Sequence, residues 1–169
     1  IMTTFSSHYQ SCITIFNNPE GERIHLYDLL SEYKTVNGYG RPFGNWFPTY
    51  ENYRDKITKM GEYKFNLCPE NSYSPGYYTE KCFHAKAAGN CPIYKADSHI
   101  IEDFRPESLV NLFSFRTAED CVDYIKEIDK NPKKLQNIIN EPLLHMQPNL
   151  DELYLFLKYS ISKIITIKQ

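Results

Sequence analysis

The chain has 169 residues and a mass of 19.9 kDa, a size that suits one domain and leaves little room for two. Hydrophobic residues make up 41%, with 14 tyrosines and 10 phenylalanines supplying much of the bulk, so an ordinary core is expected. Acids and bases are interleaved to a net charge of −2; with no basic patch, a nucleic-acid partner is excluded, whereas a small anion needs only one or two local cations.

In chain order, "SCITIFNN" (11–18) reads as a short strand stopped by Asn and Pro. "GERIHLYDLLSEYK" places Ile24, Tyr27, Leu30 and Tyr33 at helical spacing, an amphipathic helix. "TVNGYGRPFGNWFP" is a brief strand followed by a glycine- and proline-punctuated loop, in which Trp46 and Phe47 are packing residues or line a base pocket. "TYENYRDKITKMG" is a second helix closed by Gly61, and "YKFNLC" a strand. A long Tyr- and Pro-rich loop then enters a helix over Glu80–Ala88, closed by Gly89, with the strand "CPIYKA" behind it. "SHIIEDF" reads as a short helix, "SLVNLFSF" as a strand, and "TAEDCVDYIKEID" as a helix with Thr117 as N-cap. "NPKKLQNIINEPLL" is a further helix with Pro132 in its first turn. "NLDELYLFLKYSISKIITI" is strongly apolar and helical, with "KIITI" as an alternative strand.

Strands and helices alternate from end to end. The fold class is therefore α/β, a Rossmann-like open parallel sheet with helices on both faces. Residues 1–148 are expected to form the sheet domain and 149–169 an apolar helix packing on this domain or on another outside these residues. The five cysteines, Cys12, Cys68, Cys82, Cys91 and Cys121, include no C-x-x-C pair, and the five histidines are scattered singly. Reduced core thiols are expected rather than a zinc site. No apolar run approaches the roughly 18 residues of a spanning helix, so the chain is expected to be soluble. It opens Ile1-Met2, as a segment taken from a longer protein would.

In open parallel sheets ligands bind beyond the carboxyl ends of the strands, which is where the loop 69–79 lies. A helix N-terminus presents unpaired N–H groups that favour an anion. Lys81 in the first turn of one helix is unfavourable there unless an anion sits nearby, and Arg23 opens the first helix. Together they suit a diphosphate clamp; equally, by charge pattern alone, they pair with Glu22 and Glu80 on the surface. Glu70 and Asn71 can likewise bond loop amides, and His84 reads as a helix-face residue.

The residues "YKFNLCPENSYSPGYYTEK" with the later "PIY" resemble the signature of the α-1,3/4-fucosyltransferases, glycosyltransferase family 10. Upstream, "NNPEGERIHLYDLLSEYKTVNGYG" and downstream "DFRPESLVNLFSFRTAEDCVDYIKEIDKNPKKLQ" resemble the flanking family segments, so the likeness runs in order over residues 5–145. It implies a two-domain GT-B fold of which this chain is similar to the carboxyl-terminal, GDP-fucose-binding half. Matching motif positions imply donor contacts from Arg23, Glu70, Asn71, Tyr77, Glu80 and Lys81. Arg23 and Lys81 would face the diphosphate, and Glu80 and Lys81 would act in catalysis. No D-x-D metal motif is present, in keeping with a metal-independent reaction without cofactor, in which GDP-fucose is a substrate. Two departures from the pattern stand out. Lys95 and Ala96 occupy the place of an aromatic residue and a glycine, and Asn37 that of an acid.

The resemblance thus implies an inverting glycosyltransferase that uses GDP-β-L-fucose and an oligosaccharide or glycoprotein acceptor. Its general base would be a glutamate of the amino-terminal domain, outside these 169 residues, so the isolated chain would bind donor and barely turn over. The alternatives are a non-catalytic nucleotide-sugar- or glycan-binding remnant acting with a second chain, and a transferase of the same fold using another nucleotide sugar. The absence of any N-x-S/T sequon favours the cytoplasm; a Golgi lumen would require an upstream anchor.

Overall fold

A computed structural model describes residues 9–19, 21–45, 53–72 and 74–167, the side chains of Tyr53 and of 163–167 excepted. Trp46 and Phe47 lie outside the described residues. Five strands, β1 (Gln10–Ile15), β2 (Val36–Tyr39), β3 (Tyr63–Leu67), β4 (Cys91–Tyr94) and β5 (Val110–Asn111), form one parallel sheet in the order β2-β1-β3-β4-β5. Cys12 is paired with Val36 on one side and Phe65 on the other, and Ile93 with Leu67 and Val110. The expected α/β class holds, and its reason is legible: short apolar strands buried on both faces need helices over each.

On one face, α1 (Gly21–Tyr33), α5 (Ala118–Asp129) and α6 (Pro132–Asn140) cover Cys12, Phe65, Leu67 and Ile93 with Leu26, Leu30, Ile125, Ile128 and Leu135. On the other, Ile13, Tyr63 and Tyr94 pack with Met60 of α2 (Tyr53–Met60), Cys82 and Ala85 of α3 (Glu80–Ala87), and Ile100 of α4 (Ile100–Asp103). The stripe that α1 buries is Arg23, Leu26 and Leu30; of the expected Ile24, Tyr27, Leu30 and Tyr33 only Leu30 is fully buried, the other three being half-buried. A charged side chain on the buried stripe is what pattern reading passes over. All five cysteines are buried free thiols.

Boundaries follow local chemistry. Thr117 caps α5 as expected, accepting from the Asp120 N–H at 3.1 Å. Gly89 closes α3 at φ 77°, a left-handed position that a side chain rarely takes. The helix expected over 131–144 stops at Asn140, because Pro142 pushes Glu141 into extended backbone (φ −63°, ψ 128°). The strand expected over 108–115 shrinks to β5. There the Asn111 amide takes over the pairing, accepting from the Ala96 N–H and donating to the Ala96 carbonyl, both at 3.0 Å, before a 3-10 turn over Leu112–Ser114.

The last helix, α7 (Leu150–Ile167), is the one expected to pack on this domain or on another. Its described apolar side chains, among them Leu153, Phe156 and Tyr159, are exposed, Phe156 by 65%, so they do not pack on this domain. No helix among the described residues is long and apolar enough to cross a membrane.

Lys86 of α3 ties the second face to α6 of the first. Its ammonium donates to the Ile138 and Ile139 carbonyls at 2.8 Å each and to Ser108 at 3.3 Å, closing the last turn of α6. Burial pushes its pKa down, yet the three carbonyls need a donor. Lys86→Met should therefore lower unfolding free energy by about 2 kcal/mol, as buried acceptors lose a charged donor; urea denaturation reads this, and an unchanged midpoint would refute it.

Candidate functional site at the sheet switch point

Strand order β2-β1-β3 reverses the direction of winding between β1 and β3, since the chain leaves β1 through α1 toward β2 but leaves β3 through α3 toward β4. A crevice opens at the carboxyl ends of such a pair. Arg23, in the first turn of α1, spans it. Its guanidinium donates to the Asn18 carbonyl after β1 at 3.2 Å, and across the crevice to the Pro69 carbonyl and to Asn71 Oδ1, both at 2.8 Å. The Phe16 ring centroid lies 5.4 Å from the guanidinium carbon. Only 3% of Arg23 is exposed. Its planar fork suits this task, because several acceptors from two loops converge on one rigid group.

Glu70, next to Asn71, organises the other side. Its carboxylate accepts from the Thr79 N–H at 2.9 Å, the Thr79 hydroxyl at 2.7 Å, Lys81 Nζ at 2.6 Å and the Tyr94 hydroxyl at 2.5 Å. The side chain is 4% exposed. Glu70, expected as a donor contact, accepts these bonds from the protein and so ties the loop after β3 to the N-terminus of α3 and to the end of β4. Burial pushes its pKa up, but the bonds from Lys81, Tyr94 and Thr79 outweigh burial and hold it below the ordinary carboxylate value. Tyr94 is shifted upward by burial and by the Glu70 charge.

Asn71 and Lys81 are thus joined to the site through consecutive loop residues, Asn71 to Arg23 and Glu70 to Lys81. Arg23 and Lys81 do reach one rim, but they open onto different hollows. Arg23 lines a cavity of about 220 Å³ with Glu22, Pro69, Glu70, Asn71 and Lys95. Lys81 lines a smaller one, about 20 Å³, with Lys56, Asn66 and Cys68. The surface pairing expected as an alternative also differs: Lys81 pairs with Glu70 rather than Glu80, and Glu22 pairs with Lys95. Tyr77 is 46% exposed beside Gly76, whose φ of 72° turns the loop outward. Glu80 is exposed at the first position of α3. Burial acts to raise the Glu80 pKa, but its own backbone N–H, Lys81 and Thr79 bring the net value down, so it stays ionised.

Four contributors were not singled out from the sequence as site residues. Thr79 and Tyr94 hold Glu70. Lys56 of α2 shares the smaller cavity with Lys81, and burial lowers its pKa. Asp97 accepts from the Tyr78 hydroxyl at 2.7 Å and the Gly76 N–H at 3.0 Å, fixing the loop that presents Tyr77. A signal existed for Thr79, an N-cap residue type ahead of Glu80; the other three come from elements far apart in the chain. His84 lies 3.4 Å from Lys56 Nζ on the α3 face. Among the described residues, no group of three His, Cys, Asp or Glu side chains is placed to hold a metal ion.

The model of the C-terminal part of glycosyltransferase family 10 (fucosyltransferase) matches residues 7–139. The chain belongs to glycosyltransferase family 10. The family 10 chain is 32% identical over 166 residues to a putative fucosyltransferase, R654, of Acanthamoeba polyphaga mimivirus, covering 92% of this chain and 28% of that protein. It is 31% identical to the alpha-(1,3)-fucosyltransferase FucT of Helicobacter pylori, covering 89% of this chain and 31% of the relative. A crystal structure of an alpha1,3-fucosyltransferase with GDP-fucose superposes with a TM-score of 0.71 at 29% identity, over 82% of this chain and 40% of that one. The chain therefore spans about a third of the length of these two relatives. The α/β sheet described above matches that structure in fold, one half of the GT-B type expected from the motif.

Because the Glu70 pKa is depressed in the folded family 10 chain, its stabilisation is complete above the unfolded carboxylate value and is lost as pH falls through the lower folded value. Glu70→Gln should thus lower the melting temperature at neutral pH and flatten the acid limb of the melting-temperature profile. An unaltered acid limb in the variant would remove Glu70 from the titration.

Proposed function

We propose that this chain is the donor-binding half of an inverting fucosyltransferase, which moves L-fucose from GDP-β-L-fucose to a hydroxyl of an oligosaccharide or glycoprotein acceptor. Family membership supports the transferase class, and the similar structure carries GDP-fucose. The observation that carries the reading here is Arg23, a buried cation at the switch point that lines an open cavity with the 69–71 loop.

In the proposed step the acceptor oxygen bonds to the anomeric carbon of fucose. The bond from that carbon to the β-phosphate oxygen breaks, and its electron pair stays on GDP. The acceptor proton goes to a base on the face opposite the leaving group, supplied by a part of the enzyme beyond these residues. Negative charge grows on the diphosphate as the bond breaks, so cations fixed there stabilise the transition state more than the ground state. Arg23 is held by three protein acceptors and cannot swing away, which makes its field preorganised. Lys81 directs two of its three N–H donors to Glu70 and Thr79, leaving one for a phosphate oxygen. Glu80, exposed and ionised, is placed to accept from a sugar hydroxyl or to face oxocarbenium character on fucose, and Tyr77 to stack on the ribose or base.

Titration calorimetry with GDP, GDP-fucose, GDP-mannose and UDP-galactose tests this. Saturable binding of GDP and GDP-fucose is expected, with Kd on the order of 100 µM or tighter, and Lys81→Ala should weaken it about tenfold. Equal affinity for UDP-galactose would point to another nucleotide sugar, and absence of all binding would overturn the proposal.

A further inference from the structure

The cavity that Arg23 lines contains a second cation, which the motif did not assign. Lys95 follows β4 directly, between Tyr94, 1% exposed, and Ala96, whose backbone is clamped from both sides by the Asn111 amide. Its backbone is therefore fixed at the carboxyl edge of the sheet. The ammonium reaches across the cavity mouth to Glu22 in the first turn of α1, one residue from Arg23. Both partners of this pair stay partly open to solvent, Glu22 more than Lys95. An exposed ion pair of this kind contributes little to folding. Its position, bridging α1 and β4 over the hollow that ends at Arg23, fits a different role.

We propose that Lys95 is a phosphate-binding residue of this site, and that Glu22 is its resident counterion, displaced when an anionic group enters. The inference rests on the nucleotide-diphosphate reading above and adds to it: the cation that shares the Arg23 cavity is Lys95, while Lys81 approaches from the neighbouring hollow. Exchanging one carboxylate for a diphosphate keeps Lys95 paired throughout, so the lysine is never left uncompensated. It also makes affinity depend on Glu22 with a sign opposite to that of an ordinary ligand contact. Removing the carboxylate charge removes a competitor.

Calorimetry at fixed ionic strength tests this with GDP, inorganic pyrophosphate and uncharged guanosine as probes, alongside melting temperatures. Lys95→Ala should weaken GDP and pyrophosphate about tenfold, Lys95→Arg should restore both to within about twofold, and Glu22→Gln should tighten both about threefold. Guanosine affinity and the melting temperatures should hardly move. Unchanged pyrophosphate and GDP affinity in Lys95→Ala, or an equal loss for guanosine, overturns the assignment while leaving GDP binding by the wild type intact. Pyrophosphate binding that depends on Lys95 without any GDP binding supports the lysine and refutes the nucleotide reading. If neither probe binds the wild type, both are refuted.

Discussion

Arg23 is a full positive charge almost wholly removed from water, and it is tolerated because acceptors from two separate loops converge on it. The Asn18 carbonyl comes from the end of β1, and the Pro69 carbonyl and Asn71 amide from the end of β3. The desolvation of a guanidinium is offset only when its donors are met in this way. Conversely, the crevice between β1 and β3 keeps its width because one rigid fork spans it. The site's geometry is therefore a by-product of satisfying a buried cation. The arrangement has a functional side as well: acceptors from two loops hold the guanidinium in one position.

Glu70 complements it from the other strand. Four donors from three elements meet on one carboxylate, so the loop after β3, the start of α3 and the end of β4 move as one body. Arg23 and Glu70 act on adjacent stretches of the same loop, residues 69–71. A disturbance at either is felt at the other through a peptide bond or two, with no longer pathway needed. Asp97 does for the tip of the 74–79 segment what Glu70 does for its base.

Much of this fold could be read from period and punctuation. The strand–helix alternation, the Thr117 cap and the Gly89 stop are local signals, and each is realised locally. Apart from the end of α6, which Pro142 sets locally, what failed depended on partners far away. β5 lost length because the Asn111 side chain, facing Ala96, substitutes for backbone pairing. The inward stripe of α1 was misjudged because Arg23 finds its acceptors 46 and 48 residues on. The site divides along the same line. Arg23, Glu70, Asn71 and Lys81 stand in contiguous motifs and were legible. Tyr94, Lys56 and Asp97 reach the same rim from β4, α2 and the turn after β4, and only the crossing of the strands brings them there.

The five thiols have a practical consequence. Each is buried, and burial is the largest cause that raises the pKa of Cys12, Cys82 and Cys121 to about 12, far from the thiolate form that reacts. They are distributed over β1, the end of β3, α3, β4 and α5, so every layer of the domain holds one. Alkylation by a small reagent then becomes a clock for opening. The order in which the sulfurs are trapped reports which layer parts first, with no label or tag added to the chain.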